Sequence, residues 1–173
     1  RAYVPQSVWK QMKDELVSEI GTLKMGDVAD FSNFMGAVIK KAAFDKHAAA
    51  IAEARETQGM KILAGGGCDD REGWFVQPTL LQSDNPTVRH MCDEFFGPIV
   101  TLHVYPDAAW DETLQLVDRT SPYALTGAVF SNDRAATREA MFEKATAAGD
   151  SGASDAAVFW QPSKRLSTRT WGR

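Results

Sequence analysis

The segment Ile99–Tyr105 constrains the fold of this chain more than any other part of its sequence. Apolar residues stand at both odd and even positions of the segment, and its β-branched and aromatic residues favour an extended backbone. A strand with apolar residues on both faces is typical of a sheet that is covered on two sides. We therefore expect a buried strand here, within a sheet that has helices packed against it.

The rest of the sequence supplies helices and further strands for such a sheet. Apolar residues recur at helical spacing in four segments. Helices are thus predicted at 7–20, 42–58, 107–119 and 135–148. Short apolar runs predict strands at 60–64 and 125–131 and an extended edge element at 74–81. Ser7 is placed to cap the first helix, and Pro78 cannot donate to a sheet ladder. The order of these elements predicts an α/β fold with an open, mainly parallel sheet and flanking helices.

Composition excludes several classes of protein. The chain has 173 residues, of which 44% are hydrophobic, so a packed core is expected. It contains no run of about 18 apolar residues, which argues against a transmembrane helix and a membrane partner. The net charge of −4 gives no general attraction to nucleic acid. Two cysteines are too few and too far apart for a metal framework and favour a reducing intracellular compartment.

The last part of the chain differs in charge from the rest. After Ser151 the only acidic residue is Asp155, whereas four residues are basic: Lys164, Arg165, Arg169 and Arg173. We therefore separate a body, residues 1–149, from a divergent basic tail, residues 150–173, which is expected to be a mobile terminus. The apolar run Ala156–Trp160 within this tail can still add a strand or an apolar contact.

Most residues with reactive side chains are better explained by packing or turns. Gly65-Gly66-Gly67 follows a predicted strand, but Asp69 and Asp70 put negative charge where a phosphate would need positive charge, which favours a plain turn. The histidines have no metal-like spacing: His47, His90 and His103. Carboxylates follow both cysteines and disfavour a reactive thiolate at either one. No catalytic residue and no metal ligand is therefore predicted from these patterns.

The most informative segment is Asp93–Val100, which joins a carboxylate, two aromatic rings and a Gly-Pro turn just before the buried strand. Ligands of open α/β sheets tend to bind at strand ends. Glu94 there could accept hydrogen bonds from the two hydroxyls of a sugar, and Phe96 could pack on a flat ring. The alternative is a turn with one core phenylalanine and one solvated glutamate. The pattern alone favours that plainer interpretation.

The same segment resembles a known signature. Glu94-Phe95-Phe96-Gly97-Pro98 is similar to the E-x-F-G-P element of the aldehyde dehydrogenase superfamily. Further segments agree in order: Arg1–Pro5, Gly73–Thr79 and Tyr123–Ser131. Within the superfamily, Phe34–Ile39 and Glu112–Asp118 are most similar to the 1-pyrroline-5-carboxylate dehydrogenases. The resemblance covers residues 1–149 and implies part of the catalytic domain.

The resemblance implies a chemistry and a cofactor. These enzymes oxidise an aldehyde to a carboxylate through a cysteine thiohemiacetal, hydride transfer to NAD and thioester hydrolysis. The substrate would be the small molecule glutamate γ-semialdehyde and the pathway proline breakdown. By position in the motif, Glu94 would bind the nicotinamide ribose hydroxyls, Phe96 would pack on the nicotinamide ring, and Leu125 would line the same site. A full-length parent is expected to be a homo-oligomer, in the cytoplasm of a bacterium or the mitochondrial matrix of a eukaryote.

The departures from the family pattern matter as well. The resemblance places the nucleophilic cysteine, the dinucleotide-binding domain and the general base before the segment Arg1–Pro5. The expected substrate-anchoring glycine-serine loop is not matched after Gly149, where the tail is a divergent end, an artefact such as a shifted reading frame, or a partner-binding arm. At 173 residues the chain is short for a complete dehydrogenase. We expect weak or absent NAD binding and no activity from this chain alone; the alternative is a non-catalytic interaction or oligomerisation module.

Overall fold

The computed structural model describes residues 1–122, 127–147 and 158–161, with side chains up to residue 140. The described strands are β1 (Ala2–Pro5), β2 (Met60–Ala64), β3 (Cys68–Asp69), β4 (Phe75–Val76), β5 (Thr79–Ser83), β6 (Ile99–Tyr105), β7 (Ala128–Ser131) and β8 (Val158–Gln161). The described helices are α1 (Gln6–Thr22), α2 (Lys41–Glu56), α3 (Arg89–Cys92), α4 (Trp110–Arg119) and α5 (Arg134–Ala147).

The chain forms two compact units, each built from separate segments. The first unit comprises Arg1–Met12, Asp84–Glu94 and Leu102–Arg173, and the second comprises Lys13–Ser83 and Phe95–Thr101. Strand β6 thus contributes its first three residues to the second unit and the remainder to the first.

The first unit contains a parallel sheet. Strand β1 pairs with β6 on one side and with β8 on the other, and β7 pairs with β8, all in parallel. Helices α4 and α5 supply side chains to a core that includes buried residues of three of these strands: Tyr3, Tyr105, Leu114, Val117, Val129 and Ala140. Parallel strands with connecting helices confirm the predicted fold class.

The second unit contains an antiparallel pair of strands and helix α2. Strand β2 pairs with β5, and the short strands β3 and β4 form a separate two-stranded ribbon. One face of α2 packs on this sheet through a second buried cluster: Phe44, Ala50, Ile51, Ala54, Val76, Leu81, Phe95 and Ile99. The stripe predicted for the 42–58 helix is therefore its buried face.

Several sequence-based expectations need correction. Strand β5 is not an edge strand, because it lies between β2 and the beginning of β6. Pro78 breaks the extended segment into β4 and β5, so that its missing N–H falls between strands. Ser7 is not the N-cap, because α1 begins one residue earlier, at Gln6. The short elements β1, β3 and α3 were not predicted.

Other expectations are confirmed or lie outside the described residues. The strands predicted at 60–64 and 99–105 coincide with β2 and β6. The tail contributes β8, close to the apolar run in which a strand was considered. The rest of the tail, residues 150–157 and 162–173, is outside the described residues. Within the described residues, no helix is both long enough and apolar enough to cross a bilayer.

Candidate functional site

Phe96 points its ring into solvent from an unusual backbone conformation. The residue is 89% exposed and has a φ of 69°. A positive φ is uncommon for a residue with a side chain, and such residues concentrate where the surrounding structure holds a functional conformation. Gly97 follows with a φ of 70°. The turn therefore displays a large aromatic surface that contributes little to the core.

Phe95 anchors the turn on its N-terminal side. It is only 6% exposed and belongs to the buried cluster of the second unit. The Nζ atom of Lys46 lies 5.3 Å from the centre of the Phe95 ring, which is within the range of a cation–π contact. Two adjacent phenylalanines thus have opposite surroundings, one in the core and one in water.

Thr79 anchors the turn on its C-terminal side. Its backbone amide donates to the carbonyl oxygen of Pro98 at 2.9 Å. Its hydroxyl accepts from the Gly66 amide at 2.9 Å and donates to the Gln77 carbonyl oxygen at 2.7 Å. Thr79 itself is 3% exposed. One buried threonine therefore links the turn that carries Phe96 to the glycine turn after β2.

The glycine turn Gly65–Gly67 permits this close approach. A Cβ atom on Gly65 would lie 2.1 Å from the Pro78 carbonyl oxygen, and the φ of Gly65 is 72°. The guanidinium of Arg55 donates to the Gly66 carbonyl oxygen at 2.7 Å. The predicted turn is thus present, and the backbone groups of Gly66 are hydrogen-bonded to other groups of the protein.

Glu94 belongs to the first unit, as the last residue of Asp84–Glu94, and it is exposed. The backbone before it is held by Ser121, whose hydroxyl donates to the Cys92 carbonyl oxygen at 2.5 Å. The Asp93 carboxylate accepts from Arg89 at 2.8 Å. Contacts within the first unit therefore hold the backbone next to Glu94, and contacts within the second unit hold the backbone next to Phe96. The third predicted site residue, Leu125, lies outside the described residues.

The surroundings of Cys68 disfavour an activated thiolate, and the Cys92 thiol contacts a backbone carbonyl. Desolvation raises the pKa of the Cys68 thiol, although the positive charge of Arg55 acts in the opposite direction. The Cys92 thiol donates a weak hydrogen bond to the Thr87 carbonyl oxygen, with a sulfur–oxygen distance of 3.5 Å. Catalytic thiols need surroundings that favour the thiolate. That neither cysteine is catalytic stays a prediction.

A cavity of about 810 Å³ lies in the second unit. Three carboxylates line it: Asp27, Asp69 and Glu72. Arg71 hydrogen-bonds to Asp69 and lowers the pKa of that carboxyl to about 2. Within the described part of the chain, no three His, Cys, Asp or Glu side chains form a group that could hold a metal ion. Sequence reasoning did not identify this cavity, because its lining residues come from segments far apart in the chain.

Comparison with known proteins agrees with the signature around Phe96. The family model described as "Aldehyde dehydrogenase family" matches residues 1–157. The mitochondrial delta-1-pyrroline-5-carboxylate dehydrogenase of Dictyostelium discoideum is 45% identical over 150 residues, which cover 87% of this chain and 27% of that protein. The Homo sapiens protein of the same name is 45% identical over 151 residues, with the same coverage.

A solved structure gives the same result. Delta-pyrroline-5-carboxylate dehydrogenase from Mycobacterium tuberculosis bound with NAD matches with a TM-score of 0.80 and 39% identity, covering 99% of this chain and 30% of that one. The chain thus spans little more than a quarter of the length of the curated relatives it matches. The signature, the sheet and the family model agree, and the chain belongs to the aldehyde dehydrogenase family.

Proposed function

We propose that this chain supplies the nicotinamide-contacting part of the catalytic domain of an NAD-dependent pyrroline-5-carboxylate dehydrogenase. The reaction is the oxidation of glutamate γ-semialdehyde to glutamate in proline breakdown. In a eukaryote the site of action is the mitochondrial matrix, and in a bacterium the cytoplasm. The observation that carries the proposal is the exposed Phe96 ring within a sequence that matches the family signature.

The residues present fit the nicotinamide half of NAD. An exposed aromatic ring on an anchored turn offers a flat apolar surface, and a nicotinamide ring is a flat partner for it. The exposed carboxylate of Glu94 is an acceptor and suits the hydroxyl donors of the adjoining ribose. When bound there, NAD would supply the hydride acceptor for the oxidation. The role of Phe96 is to orient that ring, and the role of Glu94 is to orient its sugar.

We infer that the 173-residue chain alone does not turn over aldehyde. Neither Cys68 nor Cys92 stands where the family resemblance places the nucleophile, and burial raises the pKa of Cys68. Without a thiolate, the aldehyde cannot form the thiohemiacetal from which hydride leaves. Production of NADH from glutamate γ-semialdehyde and NAD by the purified chain would overturn this part of the proposal.

Saturation-transfer NMR tests the binding part. Saturation of the protein should reach the nicotinamide protons of NAD with the wild-type chain and should be strongly reduced with Phe96→Ala. The matched control is Phe31→Ala, because Phe31 belongs to the same unit and is 97% exposed. Equal nicotinamide saturation in the two variants would contradict a specific role for Phe96.

A second candidate function is a non-catalytic interaction or oligomerisation module. Four large apolar side chains are exposed between residues 28 and 39: Val28, Phe31, Phe34 and Ile39. Grouped exposed apolar residues favour association with another protein surface. Light scattering coupled to size-exclusion chromatography tests this function. A concentration-dependent oligomer that Phe31→Ser weakens would support it, whereas a monomer without any bound partner would contradict it.

A further inference from the structure

We propose that Thr79 is a positioning residue, whose buried hydroxyl holds the Phe96 turn in the orientation that nicotinamide binding needs. This inference rests on the proposed function and extends it to a residue outside the signature. Thr79 itself is not expected to touch the ligand. It acts through the backbone of Pro98 and the glycine turn.

The Phe96 turn depends on its flanks for support. A Cβ atom placed on Gly97 would meet nothing within 4 Å among the described residues, so the outer side of the turn has no packing partner there. Phe96 itself contributes little burial. Two of the described contacts hold the turn, the burial of the Phe95 ring and the hydrogen bond from the Thr79 amide to the Pro98 carbonyl oxygen.

The hydroxyl of Thr79 fixes the position of that amide. The hydroxyl accepts a hydrogen bond from the Gly66 amide in the glycine turn. It also donates one to the carbonyl oxygen of Gln77, two residues before it in the chain. Gly65 lies so close to the Pro78 carbonyl oxygen that no side chain would fit between them. The glycine turn and the segment at Pro78 therefore have little room to move closer to each other. Removing the hydroxyl leaves a buried Gly66 N–H without its acceptor, which is costly. The strand end is then expected to move, and the Pro98 contact with it.

The glycine turn extends the same linkage to helix α2. Arg55, in the last turn of that helix, donates to the carbonyl oxygen of Gly66, whose amide donates to Thr79. The peptide groups on both sides of Gly66 are thereby fixed. The orientation of Phe96 is thus set by a chain of hydrogen bonds that begins on a regular helix, within one unit.

Three variants separate positioning from general stability. Thr79→Val keeps the shape and removes the hydroxyl, whereas Thr79→Ser keeps the hydroxyl. Thr113→Val is the matched control, because Thr113 is a buried threonine of the other unit whose hydroxyl donates to a backbone carbonyl. We expect Thr79→Val to weaken nicotinamide binding about five- to tenfold and Thr79→Ser to restore it.

The first readout needs no ligand. Amide order parameters of Phe96 and Gly97, from ¹⁵N relaxation, should fall in Thr79→Val and stay at wild-type values in Thr79→Ser and Thr113→Val. Unchanged order in Thr79→Val would overturn the inference. If that variant does not fold, hydrogen exchange in the wild-type chain decides, because the Gly66 and Thr79 amides must both be protected. Rapid exchange at either amide would also overturn it.

The second readout is the dissociation constant of NAD from NMR titration. A fall in order together with weaker binding in Thr79→Val supports the inference, and a fall in order with unchanged binding contradicts it. If the proposed function is wrong, the wild-type and Phe96→Ala chains bind NAD equally. The effect of Thr79 on NAD affinity is then refuted as well, whereas its effect on the order of the turn is judged by the first readout.

Discussion

The carboxylate of Asp107 accepts hydrogen bonds from the backbone amide and the hydroxyl of Ser7, a residue one hundred positions earlier in the chain. The first turn of a helix has amide groups without intrahelical partners, and a side-chain acceptor stabilises them. The N-terminus of helix α1 is therefore capped by a carboxylate from the segment that follows β6. Both residues belong to the first unit.

Asp107→Ala should destabilise the chain by about 1 kcal/mol, the usual cost of losing a helix cap. Asp107→Asn keeps an oxygen acceptor and should lose less. Urea denaturation followed by circular dichroism measures both effects. A midpoint for Asp107→Ala equal to that of the wild type would show that the contact contributes nothing to stability.

Phe95→Ala should destabilise the chain by about 3–5 kcal/mol, because it removes a large buried ring and leaves a cavity. Phe95→Leu retains most of the apolar volume and should cost about 1 kcal/mol. Phe31→Ala, at an exposed position of the same unit, is expected to change stability by less than about 0.5 kcal/mol. Similar losses for Phe95→Ala and Phe31→Ala in urea denaturation would contradict the buried position of Phe95.

Gly65→Ala should cost about 2 kcal/mol or more, because its Cβ atom would clash with the Pro78 carbonyl oxygen at a φ that side chains disfavour. Gly21→Ala is the matched control. Gly21 lies within α1 with open space around it, so alanine there should raise stability by up to about 1 kcal/mol. Thermal denaturation midpoints should thus move in opposite directions, and a shared direction would refute the assigned turn.

His47 should make the stability of the chain depend on pH. Burial, and then the positive charge of Lys46, lower the pKa of its imidazole from the ordinary value of 6.5. Its Nδ1 atom has no hydrogen-bond partner among the described residues. Since the unfolded chain takes up this proton more readily, stability should fall as the pH drops below about 6.5.

The variant His47→Gln isolates this effect. Glutamine does not titrate, so the difference in unfolding free energy between pH 7.5 and about pH 5 should be smaller than in the wild type. Lys46→Gln removes only the second cause and should reduce the difference less. Parallel pH profiles for the wild type and His47→Gln would exclude the histidine as the source.

Local patterns predicted the elements whose formation is local. The strands β2 and β6 and the long helices follow from runs of β-branched residues and from helical spacing. Strand β1 was missed because it has four residues and runs directly into a helix after Pro5. Strand β8 depends on its neighbours, since its backbone pairs with β1 and β7 on either side. Such pairing is a long-range property that a single segment does not reveal.

In the candidate site, too, local sequence predicted some features, whereas others depend on residues that are distant along the chain. The motif Glu94–Pro98 identified Glu94 and Phe96 from sequence, and their roles remain predictions. The importance of Thr79 could not be read from the sequence, because its partners Pro98 and Gly66 are distant along the chain. The opposite surroundings of Phe95 and Phe96 were equally hidden, because two identical side chains side by side do not show which one is buried.

A titration of the ¹⁵N-labelled chain with NAD, followed through the backbone amides, tests whether nicotinamide binds against Phe96. Binding against Phe96 predicts that the largest shift changes occur at Phe96 and Gly97 and that Phe96→Ala removes them. Changes centred on the glycine turn Gly65–Gly67, or a shift pattern that Phe96→Ala leaves intact, would show that NAD does not bind against Phe96.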